Sequence, residues 1–426
     1  MPDNLDYDFS IPFDSAKTSD VPQVWSLADS LIEELLPDLK RSRQAYRQNM
    51  VTILLNLFTA HQHHPDLFVA YSRDRSRYRA KDRYNPLGIS YTCLTTCADA
   101  LESAVYAEGA RGIHYPGYQR RARLRASEEL QELFQEYGLD LSMVRREFEP
   151  VVLRNGEGCD TAYSNTPQLR AMHRRLERIN AMLSALEVHL PLSPKELRSL
   201  TSTLGQGRDN GEKPPFDLTR RTLHRVFNRG KFNLGGRFYG HWAQALPKAY
   251  RRRLLMEGEP VCEWDFSGMA LNMLYLREGL DLPEGDVYSL NDPSATESRE
   301  TIKKGLQILL NCSDEKEAAQ ALKNTTEFKT SGAATQALEL FLLPELRDRH
   351  HPIAHHFGTG VGLSLQYDDS RIAEAIVLDL MGQGIPCIPV HDSFIVQARH
   401  SDTLAKAMTR HSQEVLGQPL PMTRKY

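Results

Sequence analysis

Two aspartates carry the chemistry that this sequence offers. Asp265 ends the run Glu-Pro-Val-Cys-Glu-Trp-Asp and is followed at once by Phe266-Ser-Gly and an apolar helical pattern (Met269, Leu271, Met273, Leu274). Asp392 lies where a hydrophobic strand turns at His391-Asp392-Ser393 and returns as Phe394, Ile395 and Val396. A lone acid after a strand is most often a turn or helix-cap residue. Brought together, the two can hold a pair of Mg2+ ions roughly 3.5–4 Å apart, the arrangement that clamps both oxygens in phosphoryl transfer. Magnesium suits such a site because it takes few carboxylates and leaves its other positions to water and phosphate. Mn2+ can substitute, since it accepts the same oxygen donors.

Between the acids, Arg299, Lys303, Gln307 and Asn311 recur every four residues within 298–311. On a helix they form one stripe, about 18 Å long at 1.5 Å per residue. Two cations at its start can grip a triphosphate, while Gln307 and Asn311 face sugar and base. Before the first acid, Arg237 and Tyr239 alternate on a predicted strand and so share a face. The preceding Gly235 and Gly236 let backbone approach a ligand closely.

The elements that position these groups can be read from periodicity. Residues 1–38 read as an acidic N-terminal arm, solvated over 1–20, leading into an amphipathic helix over 24–36. A helix with an apolar face follows over 41–61. Residues 71–84 interleave tyrosines with basic residues, among them Arg73, Arg75, Arg77 and Arg79. Ser90 caps a predicted helix through Ser103; a strand, a glycine-bounded tip at 116–117 and a basic return strand with Arg120, Arg121, Arg123 and Arg125 come next. Helix, strand, tip and basic strand resemble a winged helix, in which a helix enters a groove and the wing touches phosphate. A small helical domain with an exposed hairpin is the plainer reading. A short helix closes the unit over 127–138. Residues 151–163 look extended, 167–188 read as a long basic helix, and 204–215 as a loop. Asp368-Asp369-Ser370 opens a helix leading to Asp392, its acids suited to an N-terminus. In the cluster His350, His351, His355 and His356, Pro352 spoils a regular helix and no cysteine lies nearby. The sequence therefore does not favour zinc there.

Composition bounds the rest. The chain has 426 residues, 41% of them apolar and 25% charged, with a net charge of −3, which fits a globular protein of two or three domains. No apolar run nears the roughly 20 residues needed to span a bilayer. The cysteines form no C-x-x-C pair and no signal peptide opens the chain, so a reduced, cytoplasmic setting without structural disulfides is expected. The weak net charge hides an uneven distribution: the basic stretches above are the expected nucleic-acid contacts.

Taken together, four blocks over about 220–426 resemble the palm and fingers of the family A DNA polymerases and the single-subunit, phage-type and mitochondrial RNA polymerases. Asp265-Phe-Ser-Gly is similar to the family's motif A. Arg299 and Lys303 keep the spacing of motif B. His391-Asp392-Ser393-Phe394 looks like the RNA-polymerase form of motif C. Gly236-Arg-Phe-Tyr239 resembles the element that precedes motif A in the RNA enzymes, and Gly285-Asp-Val-Tyr288 a short element between A and B. The resemblance implies Asp265 and Asp392 as metal-holding catalytic residues with Arg299 and Lys303. It implies nucleotide contacts from Arg299, Lys303, Gln307, Asn311, Ala270, Ser267, Arg237, Tyr239 and His391. Where the DNA enzymes carry a glutamate that excludes the 2′-hydroxyl, this chain has Ala270. A tyrosine that monitors the sugar is replaced by Asn311, a following glycine by Cys312, and an aromatic by Gln307.

The resulting expectation is an α+β chain: an arm over 1–38, a winged-helix-like nucleic-acid-binding domain over 39–140, a helical thumb-like region over 141–215, and a polymerase palm and fingers over 216–426. It adds nucleoside triphosphates to a 3′-hydroxyl on a DNA template and tolerates ribonucleotides, as an RNA polymerase or primase does. Its setting is a phage, plasmid or mobile element, alongside other replication proteins. A DNA polymerase of the family A type is the near alternative. A non-catalytic DNA-binding replication or regulatory protein with a degenerate polymerase domain is the distant one.

Overall fold

A computed structural model describes residues 6–79, 81–115, 118–205, 216–290, 299–323 and 343–426. The hairpin tip at 116–117, most of the 204–215 loop and Ser298 lie outside the described residues. The chain is mixed α and β. It divides into two interleaved compact units, not into the four consecutive segments expected: residues 1–150, 190–224 and 240–253 in one, and 151–189, 225–239 and 254–426 in the other.

The first unit runs β1 (Ser10–Pro12), β2 (Lys17–Thr18), α1 (Pro22–Leu35), α2 (Arg43–His63), β3 (Phe68–Tyr71), α3 (Tyr91–Ser103), β4 (Ala107–Ala110), β5 (Ile113–Tyr115), β6 (Tyr118–Arg120), β7 (Ala122–Ala126), α4 (Glu128–Glu136) and β8 (Arg145–Arg146). Helices α6 (Pro194–Gly205) and α7 (Lys248–Arg251) return to it, after α5 (Pro167–Ala185) has entered the second unit. A four-stranded sheet of order β1-β3-β7-β4 backs the core. Helix α2 is buried without interruption from Asn49 to Ala60, its polar stripe of Asn49, Thr52, Asn56 and Thr59 included. Its Thr52 and Thr59 hydroxyls return bonds to carbonyls one turn back. Ser90 caps α3 by accepting from the Cys93 N–H.

The solvated-tail reading of residues 1–20 does not hold from residue 6 onward. Strand β1 pairs in parallel with β3, so its backbone groups are satisfied within the sheet. Lys17 is fully buried, with Nζ 2.9 Å from Asp217. Burial opposes the Asp217 charge, but Lys17 and His63 outweigh it and hold the carboxyl below its usual range. His63 Nε2 in turn accepts the Leu218 N–H at 3.1 Å. Removing one member of such a buried pair strands the other charge, a cost of roughly 3–5 kcal/mol. The acidic composition of the arm concealed this anchor.

The second unit contains β9 (Val151–Leu153), β10 (Val188–His189), β11 (His224–Asn228, its first residue at the boundary), β12 (Lys231–Tyr239), β13 (Leu255–Met256), β14 (Glu259–Phe266) and α8 (Met269–Arg277). It continues with α9 (Arg299–Asn311), α10 (Glu315–Lys323), α11 (Leu343–Arg349), α12 (Gly362–Gly382), β15 (Ile388–Val390), β16 (Ser393–Gln397), α13 (Ser401–Leu416) and β17 (Met422–Arg424). Strand β14 is the hub of its sheet, pairing with β13, β16 and β17. A second sheet has the order β12-β11-β9. Helix α5 buries Leu176, Ile179 and Leu183 and is held to α12 by Arg175 and Glu374 at 3.1 Å. It is docked inside this unit, and the thumb-like segment over 141–215 is shared between the two units.

Candidate active site

The antiparallel register of β14 and β16 sets Asp265 opposite Ser393. Asp392 occupies the two-residue turn that joins β15 to β16, and the Phe266 N–H donates to its carbonyl at 3.1 Å. His391 takes the left-handed backbone (φ 60°) that a tight hairpin turn requires. Gly268, at φ 60°, starts α8; a Cβ there would come within 2.4 Å of Val287. Strand end and hairpin tip therefore bring the two acids to one place. Burial, and then the Asp392 carboxylate, push the Asp265 carboxyl up to about 6 against the pull of Lys425.

A third acid stands with them. Asp369 is 2% exposed and forms an ion pair with Arg237 of β12. Burial raises its carboxyl to about 6, Arg237 opposes the rise, and Asp392 adds to it. Arg237 is itself disfavoured by burial, yet Asp369 and Asp392 hold its proton more tightly than usual. Below this pair, buried Arg225 donates to the Gly236 carbonyl at 2.7 Å, Ser370 Oγ at 2.9 Å and Glu374 at 3.1 Å. Two arginines thus pin α12 to β12. Tyr239, on the face shared with Arg237, sets its ring 5.8 Å from His391.

Gly235 and Gly236 do not serve ligand approach. Both have positive φ, and added Cβ atoms would meet Asn228 Nδ2 at 2.4 Å and Phe227 at 2.6 Å. They let β12 close on its own neighbours.

Helix α9 carries the expected stripe. Arg299 grips Asp286 at 2.5 Å, and the Tyr288 ring lies 4.8 Å from Arg299 and 5.8 Å from Lys303 Nζ. Burial, then Asp392, push the Tyr288 hydroxyl up to about 12. The neutral Tyr288 thus presents its ring to both cations, with its hydroxyl close enough to Asp392 to feel that charge. Gln307 and Asn311 line a cavity of about 170 Å³ with Ala270, Gln366, Arg237 and Asp369. Ser267 is not among its lining residues: its hydroxyl is 2.9 Å from that of Thr423, and its N–H donates to the Pro421 carbonyl. His391 is likewise outside the lining, exposed beside Tyr239.

Four participants escaped the sequence reading as site residues. Lys425, after β17, places Nζ 3.0 Å from Asp265 and 3.7 Å from the buried Glu263. Nothing local marks it. Gln366 carries no signature by itself either, and Tyr288 stood in the Gly285-Asp-Val-Tyr288 element without being assigned a role. Asp369 did have one. Helix α12 begins at Gly362, not at the acid pair, and Leu365, Asp369, Ile372, Ala373 and Ile376 share its buried face. An acid at a core position of an amphipathic helix is not an N-terminal ornament.

In the first unit the arginines separate into two sets. Arg123 is 1% exposed and donates to the Tyr7 carbonyl at 2.7 Å, so it is structural and not a phosphate contact. Arg73 is paired with Asp99, and Arg125 with Glu108 and Asp66. Arg120 stacks over the Tyr7 ring at 4.6 Å. Arg75, Arg77, Arg79 and Arg121 are exposed.

No protein-family model matches the sequence, and no curated protein matches it. Among solved structures, one neighbour is the POL domain of Pol1 from M. smegmatis, in complex with DNA primer-template and dNTP. The TM-score is 0.31 and the identity 13%, over 96% of this chain and 66% of that one. This chain thus spans just under two thirds of that neighbour's length. A likeness so distant carries no argument about function. Among the described residues no helix is long and apolar enough to cross a membrane.

Proposed function

We propose that this chain is a nucleotidyltransferase that adds nucleoside triphosphates to a 3′-hydroxyl on a DNA template and tolerates ribonucleotides. The observation that carries the reading is the convergence of Asp265 and Asp392, with Tyr288 beside them presenting its ring to Arg299 and Lys303. The donor set fits magnesium: two carboxylates brought together, the Asp265 carboxyl raised by burial and then by Asp392, next to cations suited to phosphate. When bound by Asp265 and Asp392, magnesium would supply neutralisation of the charge on the transferring phosphoryl group.

The remaining work falls to the chain's own residues. Arg299 and Lys303 bind the triphosphate; Asp286 and Tyr288 orient them beforehand, so little ordering is left at the moment of reaction. Asp369 fixes Arg237 at the cavity, where it positions template or primer. Ala270, Gln307 and Asn311 form the sugar and base pocket. The 3′-hydroxyl oxygen attacks the α-phosphorus in line, its proton passing to solvent, and pyrophosphate leaves as the bond to the β-phosphate breaks. In the same reading, 216–426 act as palm and fingers, and the exposed arginines of the winged-helix-like region over 39–140 hold duplex phosphates. In this reading the setting is a phage, plasmid or mobile element.

One observation favours the second reading, a DNA-binding protein without catalysis: Lys425 already answers the charge of Asp265. Primer extension in magnesium separates the two. The enzyme extends a labelled primer; the binding protein retards the same DNA in a gel and extends nothing.

A further inference from the structure

The histidine cluster has a partner that its sequence neighbourhood hides. Residues His351–His356 form a 3-10 helix, and its last two rings lie side by side with centroids 4.1 Å apart. Glu278 caps the far end of α8 and reaches both. Its Oε1 is 2.8 Å from His356 Nε2 and 3.3 Å from His355 Nε2, and the three donor atoms all lie within 4.8 Å of one another.

The geometry points to a zinc site: His355 Nε2, His356 Nε2 and one Glu278 oxygen as three protein ligands of a single Zn2+, with solvent in the fourth position. Zinc holds imidazole nitrogens at 2.0–2.1 Å and carboxylate oxygens at 2.0–2.2 Å, so tetrahedral donors stand about 3.3 Å apart. The observed separations already approach that spacing without movement of an element. His355 and Glu278 are solvent-accessible and His356 is half-buried, which leaves room for water at the open position. Two imidazoles and a carboxylate suit zinc and disfavour magnesium, a hard cation that prefers oxygen donors. The site therefore selects a different metal from the Asp265 and Asp392 pair, and it does not depend on the polymerase reading. A simple ion pair among the three groups is the competing account. Bound zinc would tie the end of α8 to the turn preceding α12, the helices that flank Asp265 and carry Asp369.

Calorimetric titration of the full, metal-stripped chain with Zn2+, in buffer saturated with Mg2+, tests this. We expect one Zn2+ per chain, and a rise in Tm on binding because only the folded chain offers the assembled site. His355→Ala/His356→Ala removes two ligands and should weaken binding by more than the roughly 10–100-fold lost with an outer-shell partner. Glu278→Gln should weaken it less, since an amide oxygen remains. Co2+ in place of zinc should give the intense visible absorption of a tetrahedral ion, lost in the double variant. The inference is overturned if the chain takes up no Zn2+, or if the double-histidine variant binds it with unchanged affinity and stoichiometry.

Discussion

The Lys425 ammonium stands 3.0 Å from Asp265 Oδ1, on a strand end delivered by the pairing of β17 with β14. A divalent cation seeking that carboxylate meets a tethered monovalent one already in place. Lys425→Met should therefore lower the Mg2+ concentration at half-maximal extension. Both partners are partly exposed, so the ion pair is worth about 1 kcal/mol at most, or roughly fivefold in Mg2+. Magnesium titrations of the two proteins measure it. A higher requirement in the variant would mean that Lys425 organises the acids instead of competing for them.

The raised Asp265 carboxyl has a consequence for stability. Its value moves from 3.8 to about 6 on folding, so between those limits the folded chain binds the proton more tightly than the unfolded chain. Stability from this group is full below pH 3.8, falls as pH rises through about 6, and stays reduced above it. Asp369 shifts in the same direction. Asp265→Asn removes the burdened charge. Without metal, at pH 8, it should be more stable than the natural chain by up to about 3 kcal/mol, the Lys425 contact being already part of that shift. At pH 4 the gain should vanish. Urea unfolding in a chelator at both values decides this, and a variant less stable at pH 8 would show that Asp265 is not under charge strain.

Much of this site was legible because its parts are local. The stripe on α9 follows from four-residue spacing, and the hairpin holding Asp392 from strand, turn and strand. Arg237 and Tyr239 share a face because a strand alternates. What stayed hidden depends on pairing between distant segments. Lys425 meets Asp265 only through sheet register, and Glu278 meets His356 only because α8 ends beside the 3-10 turn. The arm over 1–38 misled for the opposite reason: its composition is that of a tail, while one lysine and two short strands bind it into the core. The arginines of the two basic stretches were all read alike, as nucleic-acid contacts. Burial separates them, and burial is not written in a run of like residues.

That separation can be tested. Replacing Arg75, Arg77, Arg79 and Arg121 together by alanine should weaken duplex binding and flatten its salt dependence, each lost phosphate contact lowering the log–log slope by about 0.9. Arg123→Ala should instead lower Tm, since it deletes a buried side chain bonded to the Tyr7 carbonyl. Filter binding over a salt series, with thermal melts of both variants, checks the pair. An unchanged slope in the fourfold variant would mean that these arginines are merely solvated.

The cavity beside Ala270 bears on the sugar. An alanine leaves room for a 2′-hydroxyl, and Gln307 and Asn311 line the same cavity. A single hydrogen bond at a site closed by substrate is worth roughly 1–3 kcal/mol, about five- to 150-fold in discrimination. Ribonucleotides should be accepted at least comparably to deoxyribonucleotides, and Ala270→Glu should shift preference toward deoxyribonucleotides. Competition between the two pools on one template reports the ratio. Strong rejection of ribonucleotides by the natural chain would assign the gate to another residue and the enzyme to DNA synthesis.

The most direct test of the account is extension of a labelled primer on a DNA template with magnesium and all nucleotides, by the natural chain and by Asp265→Asn and Asp392→Asn. Both substitutions keep side-chain size, and gel retardation with circular dichroism confirms binding and fold. The account predicts extension by the natural chain and a loss of several orders of magnitude in each variant, with DNA binding retained. Extension by either variant at close to the natural rate, or none by the natural chain while it still binds DNA, would contradict it.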